Sequence, residues 1–286
     1  MSVPVPLRLR PLEIGDLLDE TFRMYRRHFL LFAGISVICA IPSAGLVGLF
    51  LGWASIVLQQ SSSSTTVNGP FDLTTAAGIL GIAAAALVMN VLILPFSHAA
   101  VTFAACESAL GRPVTPGGVF RGVLRRYFPL LGYFLLFNSF TAYLALLLCI
   151  APFALWLWGF VLWIAVAPAM FIENTGLGAA IGRSRQLVQG RWWRTFLVLF
   201  LAFVVYEVVA VALGAFLQLA QYLLTIFVSP FVAASITAAS SVLISALVAP
   251  IIQIVVVLIY FDLRVRREAL DLFQIAYRIA APAATG

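Results

Sequence analysis

Six stretches of the chain stay apolar for about 20 residues or more, the length a helix needs to cross the hydrocarbon core of a bilayer. They lie at roughly 30–58, 73–106, 127–149, 151–172, 195–226 and 232–261. Turn chemistry separates them: the polar "QQSSSSTTVNGPFD" at 59–72, and the short "APF" at 151–153 and "SPF" at 229–231. Those of 30 residues or more would make at least about 45 Å of helix at about 1.5 Å per residue, so they must tilt, kink at Pro42 or Pro95, or run beyond the bilayer. The pattern predicts an all-α fold, a polytopic membrane helix bundle with six transmembrane helices.

Three further segments carry a different periodicity. "IGDLLDETFRMYRRHF" (14–29) sets Ile14, Leu17, Leu18, Phe22 and Tyr25 on one helical face, with Asp16, Asp19, Glu20 and Arg23 on the other. "GGVFRGVLRRYF" (117–128) gathers Val119, Phe120, Val123, Leu124 and Tyr127 opposite Arg121 and Arg125. In "IGRSRQLVQGRWWRTF" (181–196), Ile181, Leu187, Val188 and Trp192 oppose Arg183, Arg185 and Arg191. Apolar residues at i, i+3, i+4 and i+7 predict amphipathic helices, here over 14–27, 117–126 and 179–192. Each is expected to lie in the cytoplasmic interface, its Arg heads reaching phosphates and Trp192 and Trp193 resting at head-group level. A short soluble helix packed on neighbouring loops is the other reading.

Glu107 to Arg125 and Glu173 to Arg191 both span eighteen residues. This suggests a single integral membrane domain, 1–286, of three tandem helix pairs at roughly 9–106, 107–172 and 173–272, with 273–286 as a tail. Cytoplasmic loops that merely look alike would give the same impression.

Charge adds orientation. All seventeen basic residues are Arg: five precede the first span, four lie between the second and third, four between the fourth and fifth, and four follow the sixth. None falls in the other connections, so the positive-inside rule puts both termini in the cytoplasm of a multi-pass protein. With 63% hydrophobic and 10% charged residues, the chain departs from a soluble domain, which has about 45–50% and about 25%. The net charge of +6 points to anionic lipid head groups on the cytoplasmic side, with a membrane protein as a further possible partner, and not to nucleic acid, because the arginines flank apolar spans. Cys39, Cys106 and Cys149 stand far apart in apolar runs without a CxxC pair and read as small core residues. The first thirty residues hold five Arg and four acids and show no signal-peptide pattern.

Three segments, "LRPLEIGDLLDETFRMYRRHF" (9–29), "FIENTGLGAAIGRSRQLVQGRWWRTF" (171–196) and "LIYFDLRVRREALDL" (258–272), carry a resemblance. Their patterns "E-N…A…R-S…G-W" and "Y-F-D-L-R-x-R-x-E" resemble bacterial multispan proteins grouped with the glycerophosphoryl diester phosphodiesterase membrane domain. In the namesakes of that family the membrane part is joined to a soluble phosphodiesterase domain. Here there is no room for such a barrel of about 250 residues, and neither His28 nor His98 sits in an "HRG" context. The resemblance therefore implies a membrane module without the esterase, and no catalytic residue, metal or cofactor is expected.

Glu207 is the acid set deepest in an apolar span, where a charged side chain costs about 2.5–3.5 kcal/mol on insertion scales. Gly214, Gln218, Gln221 and Thr225 continue a polar line along its helix, while Asn90, Asn138 and Gln253 lie in other spans. Glu207 is either part of a polar pathway or a packing residue bonded to one amide. Glu173 with Arg183 and Arg185, and with Arg191 nearby, reads as a lipid-phosphate contact or as an ordinary interface ion pair. The expected function is a non-enzymatic module for anchoring, scaffolding or lipid organisation. The competing reading is a permease-like transporter of a lipid or small solute using Glu207.

Overall fold

A computed structural model describes residues 13–63, 73–146 and 150–268 of the chain. Every element among them is a helix: α1 (Ile14–Arg27), α2 (Phe29–Ser63), α3 (Leu73–Ala109), α4 (Pro116–Leu124), α5 (Tyr127–Leu146), α6 (Ile150–Trp163), α7 (Val166–Ile172), α8 (Leu177–Val188), α9 (Trp192–Phe227), α10 (Pro230–Val248) and α11 (Pro250–Glu268). Among the described residues, four stretches are long and apolar enough to cross a membrane: Phe29–Val57, Val91–Ala109, Trp192–Phe227 and Pro230–Glu268. Tyr127–Leu136 and Leu157–Ile172 are shorter apolar helices. The protein is thus all-helical, with helices suited to a membrane. Residues 64–72, Cys149 and the 273–286 tail lie outside the described residues, as do the side chains of Asn90 and Asn138.

The three amphipathic segments are helical, and each has a local reason to start where it does. The Glu13 backbone N–H donates to Asp16 Oδ2 at 3.4 Å, and Asp16 in the first turn with Arg26 and Arg27 in the last suit the helix dipole of α1. Thr115 caps α4 by accepting from the Gly118 N–H at 3.3 Å, and Pro116 takes the first helical position, where no N–H is needed. α8 follows Asn174, whose φ of 59° is the left-handed conformation that Asn tolerates and that ends α7.

Their inner faces are partly as the periodicity predicts. In α1 the buried line is Leu17, Thr21 and Met24; Thr21 fits there because its hydroxyl returns to the Leu17 carbonyl at 2.7 Å. In α4, Val119 and Val123 are buried, but Leu124, expected beside them, is 63% exposed. In α8 the buried residues are Ala180, Ser184, Leu187 and Val188.

Four expected boundaries move. α2 continues through the first residues of the supposed 59–72 loop to Ser63. The "APF" turn expected at 151–153 is instead helical, part of α6. The fourth span, expected as one helix over 151–172, breaks between Trp163 and Val166. Pro168 causes this: it can donate nothing to the Ile164 carbonyl, and its ring crowds that carbonyl. Pro250 likewise divides α10 from α11 inside the sixth span. Pro42 and Pro95, by contrast, sit within unbroken α2 and α3. "SPF" behaves as expected, Ser229 preceding α10 and Pro230 opening it.

The chain groups into two compact units. Unit one draws on Met1–Phe29, Ala99–Val204 and Ile251–Gly286, and unit two on Leu30–His98 and Val205–Pro250. In unit one, α11 is buried on nearly all sides from Ile254 to Leu263, the pattern of a core helix. The Phe103 ring packs edge to face with Phe171 at 5.3 Å and lies so close to Gly122 that an added Cβ there would stand 2.7 Å from it. In unit two, Gly48 and Gly52 of α2 meet Phe231, Ser235 and Ala239 of α10. A Cβ on Gly48 would stand 2.8 Å from the Ser235 carbonyl oxygen, so the close approach of the two backbones requires glycine.

Cys39 and Cys106 are buried, as expected of small core residues.

Candidate functional site

The break between α6 and α7 leaves helix-end carbonyls that need donors. Side chains from α8 and α5 supply them, and α9 adds a bond one turn earlier in α6. Ser184 Oγ in α8 donates to the Leu162 carbonyl at 2.7 Å and accepts from the Ala165 N–H at 3.2 Å. Tyr133 Oη in α5 donates to the Trp163 carbonyl at 3.1 Å, and Trp192 Nε1 in α9 donates to the Trp158 carbonyl at 3.3 Å. Arg126 closes the other end of α7, donating to the carbonyls of Met170 and, at 3.2 Å, Thr175.

This corner fixes Glu173, the residue that ends α7. Arg183 Nε donates to both of its carboxylate oxygens, at 2.8 and 2.9 Å, and Arg183 Nη2 reaches Glu268 of α11. Glu268 accepts from Arg264 Nε at 2.8 Å, and Arg264 Nη1 approaches Tyr260 Oη at 3.4 Å. Tyr260 Oη donates to Glu173 Oε1 at 2.8 Å, which closes a ring of five side chains. Burial alone would weaken the charge on Arg183, but the hydrogen bonds from Glu173 and Glu268 outweigh it and raise its pKa above the ordinary arginine value.

A second cluster lies on another face of α11. Asp262, only 4% exposed, accepts two bonds from Arg266 Nε, at 2.9 and 3.0 Å, and one from Arg194 Nε at 3.4 Å. Arg191 Nη2 donates to the Arg266 carbonyl at 3.5 Å, and Arg267 donates to the Gln189 carbonyl. Gly190, with φ of 84°, makes the α8–α9 turn that presents these groups.

The spacing explains the chemistry. Tyr260, Arg264 and Glu268 stand at i, i+4 and i+8, one stripe of α11, while Asp262 and Arg266 form a second i, i+4 pair turned away from it. Of the residues singled out in sequence, Glu173 and Arg183 are brought together as an ion pair, and Arg191 turns to the end of α11. Arg185 is exposed, with no hydrogen bond or ion pair among the described residues. Glu207 is half-buried in α9, belongs to unit two, and likewise has no bonded partner among the described residues. Gln253 is buried at the start of α11 in unit one. The roles of Tyr260, Asp262, Arg264, Glu268, Arg194 and Ser184 were missed, although the two i, i+4 stripes in "YFDLRVRRE" were a usable signal for the first four.

Both oxygens of Glu173 are engaged, and the three carboxylates of the two clusters face four guanidiniums, so this arrangement is suited to holding helices together. Among the described residues, no three His, Cys, Asp or Glu side chains come together to hold a metal ion. The chain matches no protein-family model, no curated protein and no solved structure.

Proposed function

We propose that this chain is a non-enzymatic integral membrane module of a bacterial cytoplasmic membrane, crossing it six times with both termini inside, that anchors or scaffolds a partner and organises anionic lipid. On this reading α1, α4 and α8 lie in the cytoplasmic interface. Support comes from the starts of α2, α5 and α9, where exposed rings stand within two residues of arginines: Phe29 near Arg27, Phe128 (81% exposed) near Arg126, and Trp193 (76% exposed) between Arg191 and Arg194. Bare aromatics are unfavourable in water but favourable at head-group level, where the guanidiniums meet phosphates.

The observation that carries the non-enzymatic reading is the closed ring. A carboxylate acting as a general base must offer a lone pair to its substrate, and Glu173 gives its oxygens to Arg183 and Tyr260. Among the described residues, the groups left to hold a lipid phosphate include the exposed Arg26, Arg121, Arg125 and Arg185. The resemblance noted above, to a family of membrane domains, agrees with this.

The test is the intact protein in nanodiscs containing phosphatidylglycerol and phosphatidylcholine. Native mass spectrometry should find phosphatidylglycerol retained, and retention should fall when Arg121, Arg125 and Arg185 are changed to Gln. Hydrolysis of a phospholipid or glycerophosphodiester that is lost in Glu173→Gln would overturn the proposal. The competing transport reading is favoured by the half-buried, unbonded Glu207. Vesicle flux of a lipid or solute that disappears in Glu207→Gln would establish it instead.

A further inference from the structure

The polar line of α9 has a second regularity. Glu207, Val211, Gly214, Gln218, Gln221 and Thr225 follow one another at alternating steps of four and three residues. That 3.5-residue average is the seam of a left-handed helix pair. The whole seam lies in unit two. Val211 is 66% exposed, Gln218 and Thr225 are exposed, and Glu207, Gly214 and Gln221 are half-buried. A Cβ built on Gly214 meets nothing within 4 Å. Thr225 bonds back to the Tyr222 carbonyl at 2.6 Å, but Glu207, Gln218 and Gln221 make no hydrogen bond among the described residues.

The surroundings of this seam are lipid-like. Phe216, Leu219, Leu223 and Ile226 are exposed on the same stretch, so it belongs in hydrocarbon. An amide facing acyl chains forfeits its hydrogen bonds, whereas one facing another helix recovers them. Polar seams of membrane helices are therefore expected to be covered.

We infer that a second copy of this chain covers the seam, pairing α9 with α9 about a two-fold axis along the membrane normal. Such an axis brings each residue to its own counterpart at the same depth. An amide is both donor and acceptor, so Gln218 meeting Gln218 satisfies both, and Gln221 behaves alike. Gly214 at the centre of the seam lets the two backbones approach closely, as small residues do in membrane helix pairs. Gly214, Gln218 and Gln221 meet their own copies without like-charge repulsion. This inference is independent of whether the module scaffolds or transports.

The experiment uses the full chain in native membranes, with Cys39, Cys106 and Cys149 changed to Ala. Single cysteines replace Val211, Gly214, Gln218 or Thr225 on the seam, and Phe216 or Leu223 off it. Oxidation should link copies through the seam positions and leave the off-seam positions unlinked. Wild-type protein in nanodiscs should have the mass of two copies. Gln218→Leu should weaken association about five- to tenfold, the loss of two intramembrane hydrogen bonds, and Gly214→Leu should abolish it while Leu223→Ala changes nothing. Equal linking around the helix, or a monomer mass for the wild type, overturns the inference. So does a disulfide within one chain between Gln218→Cys and Asn138→Cys, because α5 would then be the cover.

Discussion

The Tyr260 hydroxyl donates to Glu173 Oε1 at 2.8 Å and so ties the end of α7 to α11 across 87 residues of sequence. Removing only that hydroxyl leaves Glu173 with Arg183, so Tyr260→Phe should cost about 1 kcal/mol. Arg183→Met strips Glu173 and Glu268 together. Breaking a buried pair costs about 3–5 kcal/mol, and partial exposure reduces this to about 2 kcal/mol. Reversible unfolding in mixed detergent should rank the variants in that order. In a double-mutant cycle the two changes should be less than additive, because they share Glu173.

Ser184 and Ser235 should respond oppositely to the same change. Ser184 Oγ serves a carbonyl and an N–H at the α6–α7 break, and both groups are left unpaired in Ser184→Ala. The expected loss is about 2 kcal/mol. Ser235 Oγ is buried without a hydrogen-bond partner among the described residues, so Ser235→Ala should be neutral or mildly stabilising in the same unfolding assay. A large loss at Ser235 would contradict the described packing of α10.

The two glycines of α2 also make separable predictions. A Cβ on Gly52 would stand 2.0 Å from Ser235 Oγ, whereas one on Gly48 strikes the Ser235 backbone oxygen at 2.8 Å. Each Ala substitution should cost about 1–3 kcal/mol as overpacking. Adding Ser235→Ala should recover much of the loss at Gly52, where the obstacle is a side chain, and little at Gly48. Gly81→Ala, with nothing within 4 Å, should leave stability nearly unchanged.

Orientation can be read by thiol labelling of whole cells, with Cys39, Cys106 and Cys149 changed to Ala to remove background. A membrane-impermeant maleimide should label Ser63→Cys from outside. Arg185→Cys should react only after the membrane is opened. The reverse result would invert the proposed topology.

How legible these features were depends on the distance over which their causes act. α1, α4 and α8 came within a few residues of their predicted limits because amphipathic periodicity is a local property of the helix. The long apolar helices were legible for the same reason. The break before Val166 was not, because Pro168 disturbs a carbonyl four residues upstream and the remedy comes from Ser184 and Tyr133 in other helices. The continuation of α2 to Ser63 was hidden by a Ser- and Gln-rich stretch whose composition suggests a loop. The ring of Glu173, Arg183, Glu268, Arg264 and Tyr260 was half visible. Its α11 members announce themselves by fourfold spacing, but nothing local ties them to residues 85 and 87 positions earlier.

The ring also sets an order in time. Translation delivers Glu173 and Arg183 long before Tyr260, Arg264 and Glu268. While α11 is still unmade, Arg183 has one carboxylate in place of two, and Glu173 lacks its phenol. Unit one, assembled from early, middle and late stretches, shares that incompleteness. A chain halted before α11 therefore presents an unfinished polar corner to the insertion and proteolysis machinery, and a finished chain does not. Closure of five side chains becomes a chemical record that synthesis has reached the last described helix.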